Sequence, residues 1–560
     1  MPGWGYVAVI AGVLVLLFLK SIWDEKKYTE KLYRKMEREW GQVPQESYTE
    51  DKYRSLQFYY NSRPKDMGDI DLITWNDLDM DQIFMTMNNT GSAAGEEYLY
   101  AMLHTLSYSE EELLERNRLI EFFAKNKQQR QKLQEQFLRM GKEKNISIYE
   151  YMNLLHLLKR ESNLPRIMSM LTMLAAFGLI VFRPVAGVIA VLVVGIFNAY
   201  QYYKRKMDIE KYFSVVSHLI RMLDGMETLT KCDIAEIKTY TDRIRKTLKV
   251  FAGFRKGAGI VAAKKPTGDL LEGMLDYIRM LFHIDLIKFN RMLQIFDSHE
   301  KELTELFETA GFLDAMIAAA SYRKLMREWC LPVLSHATPH LQTENIYHPM
   351  LDAPVKASLS ENKSVLITGS NASGKSTFIK TLAINAILAQ TIYTVMADSY
   401  ESSYFMVASS MALRDDIFSK ESYYIVEIKS LKRIMDRLNA KVPMLCFVDE
   451  VLRGTNTLER IAASTEILAG IAENNAMCFA ATHDIELTHI LEAQYSNYHF
   501  QEYVEENQVL FDYKLYPGRA VSKNAIKLLR MLGYEERITK RAEERVQCFE
   551  DTGEWKRLEA

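Results

Sequence analysis

A chain of 560 residues, 48% hydrophobic and 26% charged, has room for about three or four folded domains and falls outside the disordered class. Its formal net charge of −3 provides no global pull toward nucleic acid. Five scattered cysteines, none in C-x-x-C spacing, argue against a zinc site or a disulfide framework and suit a reducing compartment.

Residues 4–19 (WGYVAVIAGVLVLLFL) carry no charge, and residues 2–23 are long enough to span a bilayer if Lys20 snorkels. A secretory signal is the rival reading, but there is no basic n-region and no A-x-A-like cleavage site. The segment therefore reads as an uncleaved anchor, 1–23. Lys20, Lys26 and Lys27 follow it and no cation precedes it, which places the N-terminus outside and the next segment in the cytoplasm. Residues 21–65 read as juxtamembrane helix and loop.

From Asp69 an apolar cluster leads to a turn or cap signal at Asn88, Asn89, Thr90 and Gly91, then to a small-residue helix through Leu106. Ser109 to Glu112 (SEEE) fits a capping box that opens another helix. A second apolar block, 167–182 and 185–200, is split by Arg183 and Pro184. Proline breaks a helix and arginine prefers an interface, so the block reads as a helical hairpin with an external turn. Arg160 and Arg166 precede it, and Lys204, Arg205 and Lys206 follow, so both flanks are cytoplasmic. Each arm of about 16 residues makes about 24 Å of helix, short for a full span; a re-entrant hairpin and a buried soluble hairpin are the alternatives.

Residues 205–330 are helical in pattern. The stretch 243–265 holds eight lysines and arginines around Phe251 and Phe254; it suits phosphates of nucleic acid or anionic lipid, with a solvated helix face as the commoner explanation. From Pro339 to about Gln547, strand-like runs alternate with helical ones, as in a largely parallel α/β sheet. The runs are SVLIT at 364–368, then 392–395, 405–408, 444–448 and 477–481.

The chemistry concentrates in that α/β part. GSNASGKST, comprising Gly369, Ser370, Asn371, Ala372, Ser373, Gly374, Lys375, Ser376 and Thr377, fits G-x-x-x-x-G-K-[ST] between a strand and a helix. Backbone N–H groups there cradle phosphate, Lys375 reaches the β- and γ-phosphates, and the Ser376 hydroxyl sits on Mg²⁺. The apolar run MLCFVDE ends in Asp449, suited to the Mg²⁺ shell, and Glu450, suited to polarising the attacking water. A further run, MCFAA, ends at Thr482 and His483, and a histidine there can reach the γ-phosphate or the water.

These motifs resemble the MutS family of ABC-type ATPases. The family's GPN-x-x-GKST is matched except that Ser370 stands in place of proline. DE-x-x-RGT-x-T matches Asp449 to Thr457, and ATH-x-x-EL matches Ala481 to Leu487. The signature S-T-F-x-x-E aligns with Ser422 to Glu427, with tyrosines in the second and third places. Tyr347, His348 and Pro349 sit where the family has Arg-His-Pro, and Gly518 to Ser522 resembles its closing segment. Upstream, Thr74 to Leu78, Asn89 to Gly91, Gly95 and Arg116 are similar to the start of its core helical domain.

The resemblance implies an α/β P-loop (ABC-type) ATPase domain plus an all-α core/lever domain, to which the apolar runs add transmembrane helices. The domains expected are 1–23 anchor, 24–165 helical region with the core-like part from about 69, 166–203 transmembrane hairpin, 204–335 lever/core and 336–560 ATPase. It implies ATP and Mg²⁺ as cofactors and a homodimer paired head to tail, in which Ser422 acts on the partner's γ-phosphate. Catalytic roles fall to Glu450, His483, Lys375 and Ser422. The chain also departs from the family. No mismatch-reading or connector domain is expected before residue 69, 125–280 is too short for full levers and a DNA clamp, and the closing extension is expected to be short or missing. The expectation is a membrane-anchored MutS-like ATPase that hydrolyses ATP at composite dimer sites to drive conformational change, multi-pass in the cell membrane with its ATPase domain cytoplasmic, in contact with lipid and an unknown protein partner, with DNA as a further candidate partner. A membrane-tethered DNA-binding protein and a nucleotide-gated scaffold with little turnover are the alternatives.

Overall fold

The computed structural model describes residues 3–155, 162–252, 277–370, 373–411, 423–438, 441–453, 455–505, 508–520 and 525–555. The chain divides into two compact units. One comprises Met1–Lys65, Phe84–Leu103 and Glu115–Leu325; the other comprises Asp66–Ile83, His104–Leu114 and Met326–Ala560.

The described secondary structure of the first unit is helical. Its N-terminal helix runs unbroken over Gly3–Glu39, past the point where hydropathy falls, because nothing between residues 20 and 39 breaks a helix. Thr49 caps Glu50–Ser62 by accepting from the Lys52 N–H at 3.3 Å. The hairpin arms are longer than their apolar cores suggest: Leu164–Phe182 has 19 residues, and the return arm belongs to one 47-residue helix, Pro184–Thr230. Proline stands at the start of both helices, where its missing N–H is not needed. Leu164–Phe182 and Pro184–Met207 are each long and apolar enough to cross a membrane.

Behind the hairpin, Glu300–Leu325 is buried along most of its length, with Ala315, Ala318, Ala319 and Ala320 fully inside. Asp314 on this helix accepts from the N–H groups of Gly91 and Ser92 at 3.0 and 2.9 Å and from Ser92 Oγ at 2.6 Å. It thereby holds Ser92, whose Oγ caps helix Ala93–His104 by accepting from the Gly95 N–H at 3.0 Å. Burial pushes the Asp314 carboxyl up to about 6, against these hydrogen bonds.

The second unit holds two sheets. A four-stranded sheet has the order β1 (Val333–Ser335), β5 (Ser399–Ser403), β2 (Leu341–Ile346), β3 (Ala357–Glu361). A six-stranded sheet has the order β10 (Gln508–Pro517), β9 (Tyr495–Glu505), β4 (Ser364–Thr368), β8 (Ala476–Ala481), β7 (Met444–Asp449), β6 (Met406–Ser410). All its pairings are parallel except the β9–β10 hairpin. Strands β4, β6, β7 and β8 are buried at every residue, as expected of parallel strands covered on both faces. On one face Cys446, Val448 and Cys478 pack with Leu431, Ile434, Leu468 and Ile471 from the helices Tyr423–Met435 and Thr457–Ala472.

The strand expected at 392–395 is instead a buried turn. Tyr393 adopts φ +52°, which no strand tolerates, and only Val395 makes a bridge, to Cys330. The exposed edge of β6 is covered by the segment Asp66–Ile83: Ser409 N–H donates to Thr74 Oγ1 at 3.0 Å, and Met411 N–H donates to Asp77 at 3.0 Å. Asp71, which caps helix Leu72–Asp77, also pairs with Arg433 and, at 3.1 Å, with Arg437.

Candidate functional site

Because β8 lies between β4 and β7, the C-terminal ends of three parallel strands converge. Two backbone bonds fix the junction: Glu450 N–H to Ala481 O at 3.0 Å and Thr482 N–H to Ile367 O at 3.0 Å. Ligands of open α/β sheets bind at this edge.

After β4 the chain turns through Gly369 (φ +146°) and Gly374 (φ +107°), conformations that a side chain would strain. At Gly374 a Cβ would also stand 3.2 Å from the Tyr513 ring. Helix Lys375–Thr391 starts immediately, leaving its first N–H groups directed at the loop. Lys375 Nζ donates to the loop carbonyls of Gly369 and Ser370 at 2.7 and 2.8 Å. Burial lowers its pKa, against the pull of Glu450 and Asp449. Ser376 and Thr377 are exposed, whereas Ser373 is buried and its Oγ has no hydrogen-bond partner among the described residues. Asn371 and Ala372 lie outside the described residues.

Asp449 closes β7, buried, with Oδ1 lacking a partner among the described residues. Glu450 follows at φ +58° and Leu452 also has φ +58°, a left-handed backbone that only the surrounding contacts sustain. His483 Nε2 lies 3.0 Å from Glu450 Oε1, and Arg453 forms an ion pair with the other oxygen. Burial pushes the Glu450 carboxyl up, but the hydrogen bond from His483 and the charges of Arg453, His483 and Lys375 outweigh it, so it stays ionised below its ordinary range. Lys375, Asp449, Glu450 and His483 thus come together. Ser422 lies outside the described residues, but Glu427 on the helix that follows is placed: its Oε1 accepts from the Arg453 N–H at 3.3 Å.

Several residues of the site have no local motif. Glu502 on β9 accepts from Ser370 Oγ, 132 positions away in sequence. Arg460 grips Asp484 through two hydrogen bonds of 2.9 and 2.6 Å and so fixes the turn that carries His483. A cavity of about 400 Å³ adjoins Lys375, walled by Leu351, Val355, Phe500 and Tyr513, with His348 on its rim. Burial pulls His348 down to about 4, and its Nδ1 accepts from the Met350 N–H at 3.2 Å, so the imidazole is neutral. An apolar hollow beside an anion-binding loop suits a flat aromatic group joined to phosphates. For Mg²⁺ and ATP the donor set fits: the Asp449 oxygen, the exposed Ser376 hydroxyl and a lysine whose hydrogen bonds among the described residues go to loop carbonyls can all take a new partner.

Residues 365–550 match a family model described as MutS domain V, the ATPase domain of that family. The DNA mismatch repair protein MutS of Methanosarcina barkeri is 30% identical over 271 residues, 46% of this chain and 30% of that protein. MutS of Thermus thermophilus is 30% identical over 179 residues, covering 32% of this chain and 22% of that protein. MutS protein homolog 4 of Mus musculus is 31% identical over 268 residues, 44% and 27% of the two chains. The chain spans under a third of the length of these curated relatives.

Proposed function

We propose that this chain is a membrane-anchored MutS-like ATPase that works as a dimer. The observation that carries the reading is the convergence of Lys375, Asp449, Glu450 and His483 at the ends of three adjacent strands. The loop 369–377 would cradle the phosphates, and Lys375 would move from its loop carbonyls to phosphate oxygens. Ser376 and Asp449 would hold Mg²⁺, which when bound neutralises charge on the phosphates. Glu450 would accept the proton of the attacking water, with His483 and Arg453 keeping its carboxylate oriented and ionised. Ser422 of a second copy would complete the site. The hairpin 164–207, with the helix Gly3–Glu39 ahead of it, would anchor the chain in the cell membrane with the ATPase unit in the cytoplasm.

A second reading, DNA binding at the membrane, is favoured by the mismatch-repair names of the relatives. Of the basic stretch, the described part bears on it weakly, since Arg243 faces Glu305 and Arg245 pairs with Asp242. The test is ATP turnover by the detergent-solubilised full chain with and without DNA. Mg²⁺-dependent hydrolysis indifferent to DNA is the expected result. Stimulation by DNA would favour the second reading, and no hydrolysis under either condition would refute the first.

A further inference from the structure

Beside the two apolar arms of the hairpin runs a third stretch of chain. Residues 277–282 are helical, His283 turns at φ +54°, and helix Ile284–Ser298 begins at once. The contacts of this stretch climb the hairpin in order. At the foot, Asn163 donates to Ile287 O at 3.2 Å and accepts from Asn290 at 2.9 Å. Next, Tyr202 OH donates to Asp285 at 2.7 Å. Above that, Asn198 Nδ2 donates to Leu281 O at 2.8 Å, and His283 Nε2 lies 2.9 Å from Asn198 O. Highest, the Phe282 ring stacks on Phe177, with centroids 6.4 Å apart and planes at 14°. Phe177 lies about 20 Å of helix beyond Leu164. Gly195 lies beside this stretch: a Cβ there would stand at ordinary contact distance, 3.4 Å from Leu281 and 3.6 Å from Met173.

Asn198 explains how a helix can end in an apolar layer. The last carbonyls of a helix have no partner in their own helix, and hydrocarbon offers none. Asn198 is fully buried on the hairpin; it accepts from Ser169 Oγ through its amide oxygen and gives its amide N–H to the orphan carbonyl of Leu281. Tyr277 and Ile278, one turn higher, are 67% and 45% exposed, and so prolong the apolar surface of Leu174, Phe177 and Ile196. Arg166, Lys204 and Arg205 stand at the foot of the hairpin, where anionic headgroups would meet them.

We propose that the helical segment 277–282 is a further lipid-embedded element beside the two hairpin arms, pinned to the hairpin by Asn198, with Tyr277 and Ile278 facing acyl chains. This rests on the reading that the hairpin enters a membrane. The experiment is depth-dependent quenching of a fluorophore by brominated lipid, with the full chain in vesicles of phosphatidylcholine and phosphatidylglycerol. Cys446 and Cys478 are buried, so replacing Cys232, Cys330 and Cys548 by serine leaves one reactive position at a time, introduced as Val193→Cys, Ile278→Cys or Glu300→Cys. The expected result is quenching at 278 within about twofold of that at 193, as two sites inside a hydrocarbon core about 30 Å thick should show, and none at 300. Quenching at 193 without quenching at 278 overturns this proposal and leaves the hairpin reading standing; quenching at neither site overturns both. Adding Asn198→Leu should abolish quenching at 278 while sparing 193, and persistence at 278 would overturn the role given to Asn198.

Discussion

Replacing Glu450 by glutamine separates chemistry from binding. Glutamine has the same size and keeps an oxygen for His483 Nε2, now 3.0 Å from Oε1. What disappears is the negative charge and with it the ability to take a proton. Arg453 loses its counter-ion but is 40% exposed, so water replaces the pair at a cost of about 0–1 kcal/mol. Nucleotide binding should accordingly stay within about fivefold of the parent, because the cradle at 369–377 is untouched. Turnover should fall by about 10²- to 10⁴-fold, the usual contribution of a positioned general base. That corresponds to about 3–5 kcal/mol of barrier. The assay is steady-state phosphate release beside equilibrium binding of a fluorescent ATP analogue, with thermal unfolding as the control for folding. A variant that binds normally and turns over within about tenfold of the parent would refute the assignment of Glu450 as base.

Lys375→Ala should weaken nucleotide binding itself by about 10- to 100-fold, since a hydrogen bond to a charged group contributes about 1.5–3 kcal/mol; an unchanged titration of the analogue would contradict this. Gly95→Ala places a Cβ 2.2 Å from Asp314 Oδ2 and must dislodge the carboxylate that holds Ser92, the cap of helix Ala93–His104. Overpacking of this kind costs about 1–3 kcal/mol, seen in calorimetry as a lower Tm, and an unshifted Tm would contradict the packing. Burial pushes the Glu97 carboxyl from 4.5 up to about 8, against hydrogen bonds from Ser147 Oγ and the Ile148 N–H. The folded chain then keeps a proton that the unfolded chain releases above 4.5, so this stabilisation is complete below pH 4.5 and lost as pH rises toward 8. Glu97→Gln should flatten the fall of Tm across that window, and an identical slope would contradict the shift.

What could be read from the sequence was what is local in it. The loop 369–377, the Asp449–Glu450 pair and Thr482–His483 each follow directly on a short apolar run, so a strand and its chemistry stand in one stretch of text. The missing contacts join distant positions. Glu502 reaches Ser370 across 132 residues and Arg433 reaches Asp71 across 362, and no periodicity encodes either pairing. Hydropathy also misjudged the hairpin arms, because a helix continues past its last apolar residue until something breaks it, as at Thr230. It passed over 277–282 because Arg279 dilutes the signal, whereas the amide of Asn198 that holds the segment lies on another helix.

Glu450 and Leu452 also mark where this chain resists improvement. Each non-glycine residue in the left-handed region costs about 1–2 kcal/mol, so glycine at either position would relax the backbone. At 450 that relief would delete the reactive carboxylate. At 452 it would remove a side chain that is 2% exposed, and its burial contributes about 1.5–3 kcal/mol, as much as the relief or more. Selection for heat tolerance should therefore leave this loop alone and act nearby, for instance at Leu458, 81% exposed at the start of helix Thr457–Ala472, where a polar replacement gives up no packing. The same three-residue arc that aims the carboxylate sets a ceiling on how far local rules can be obeyed there.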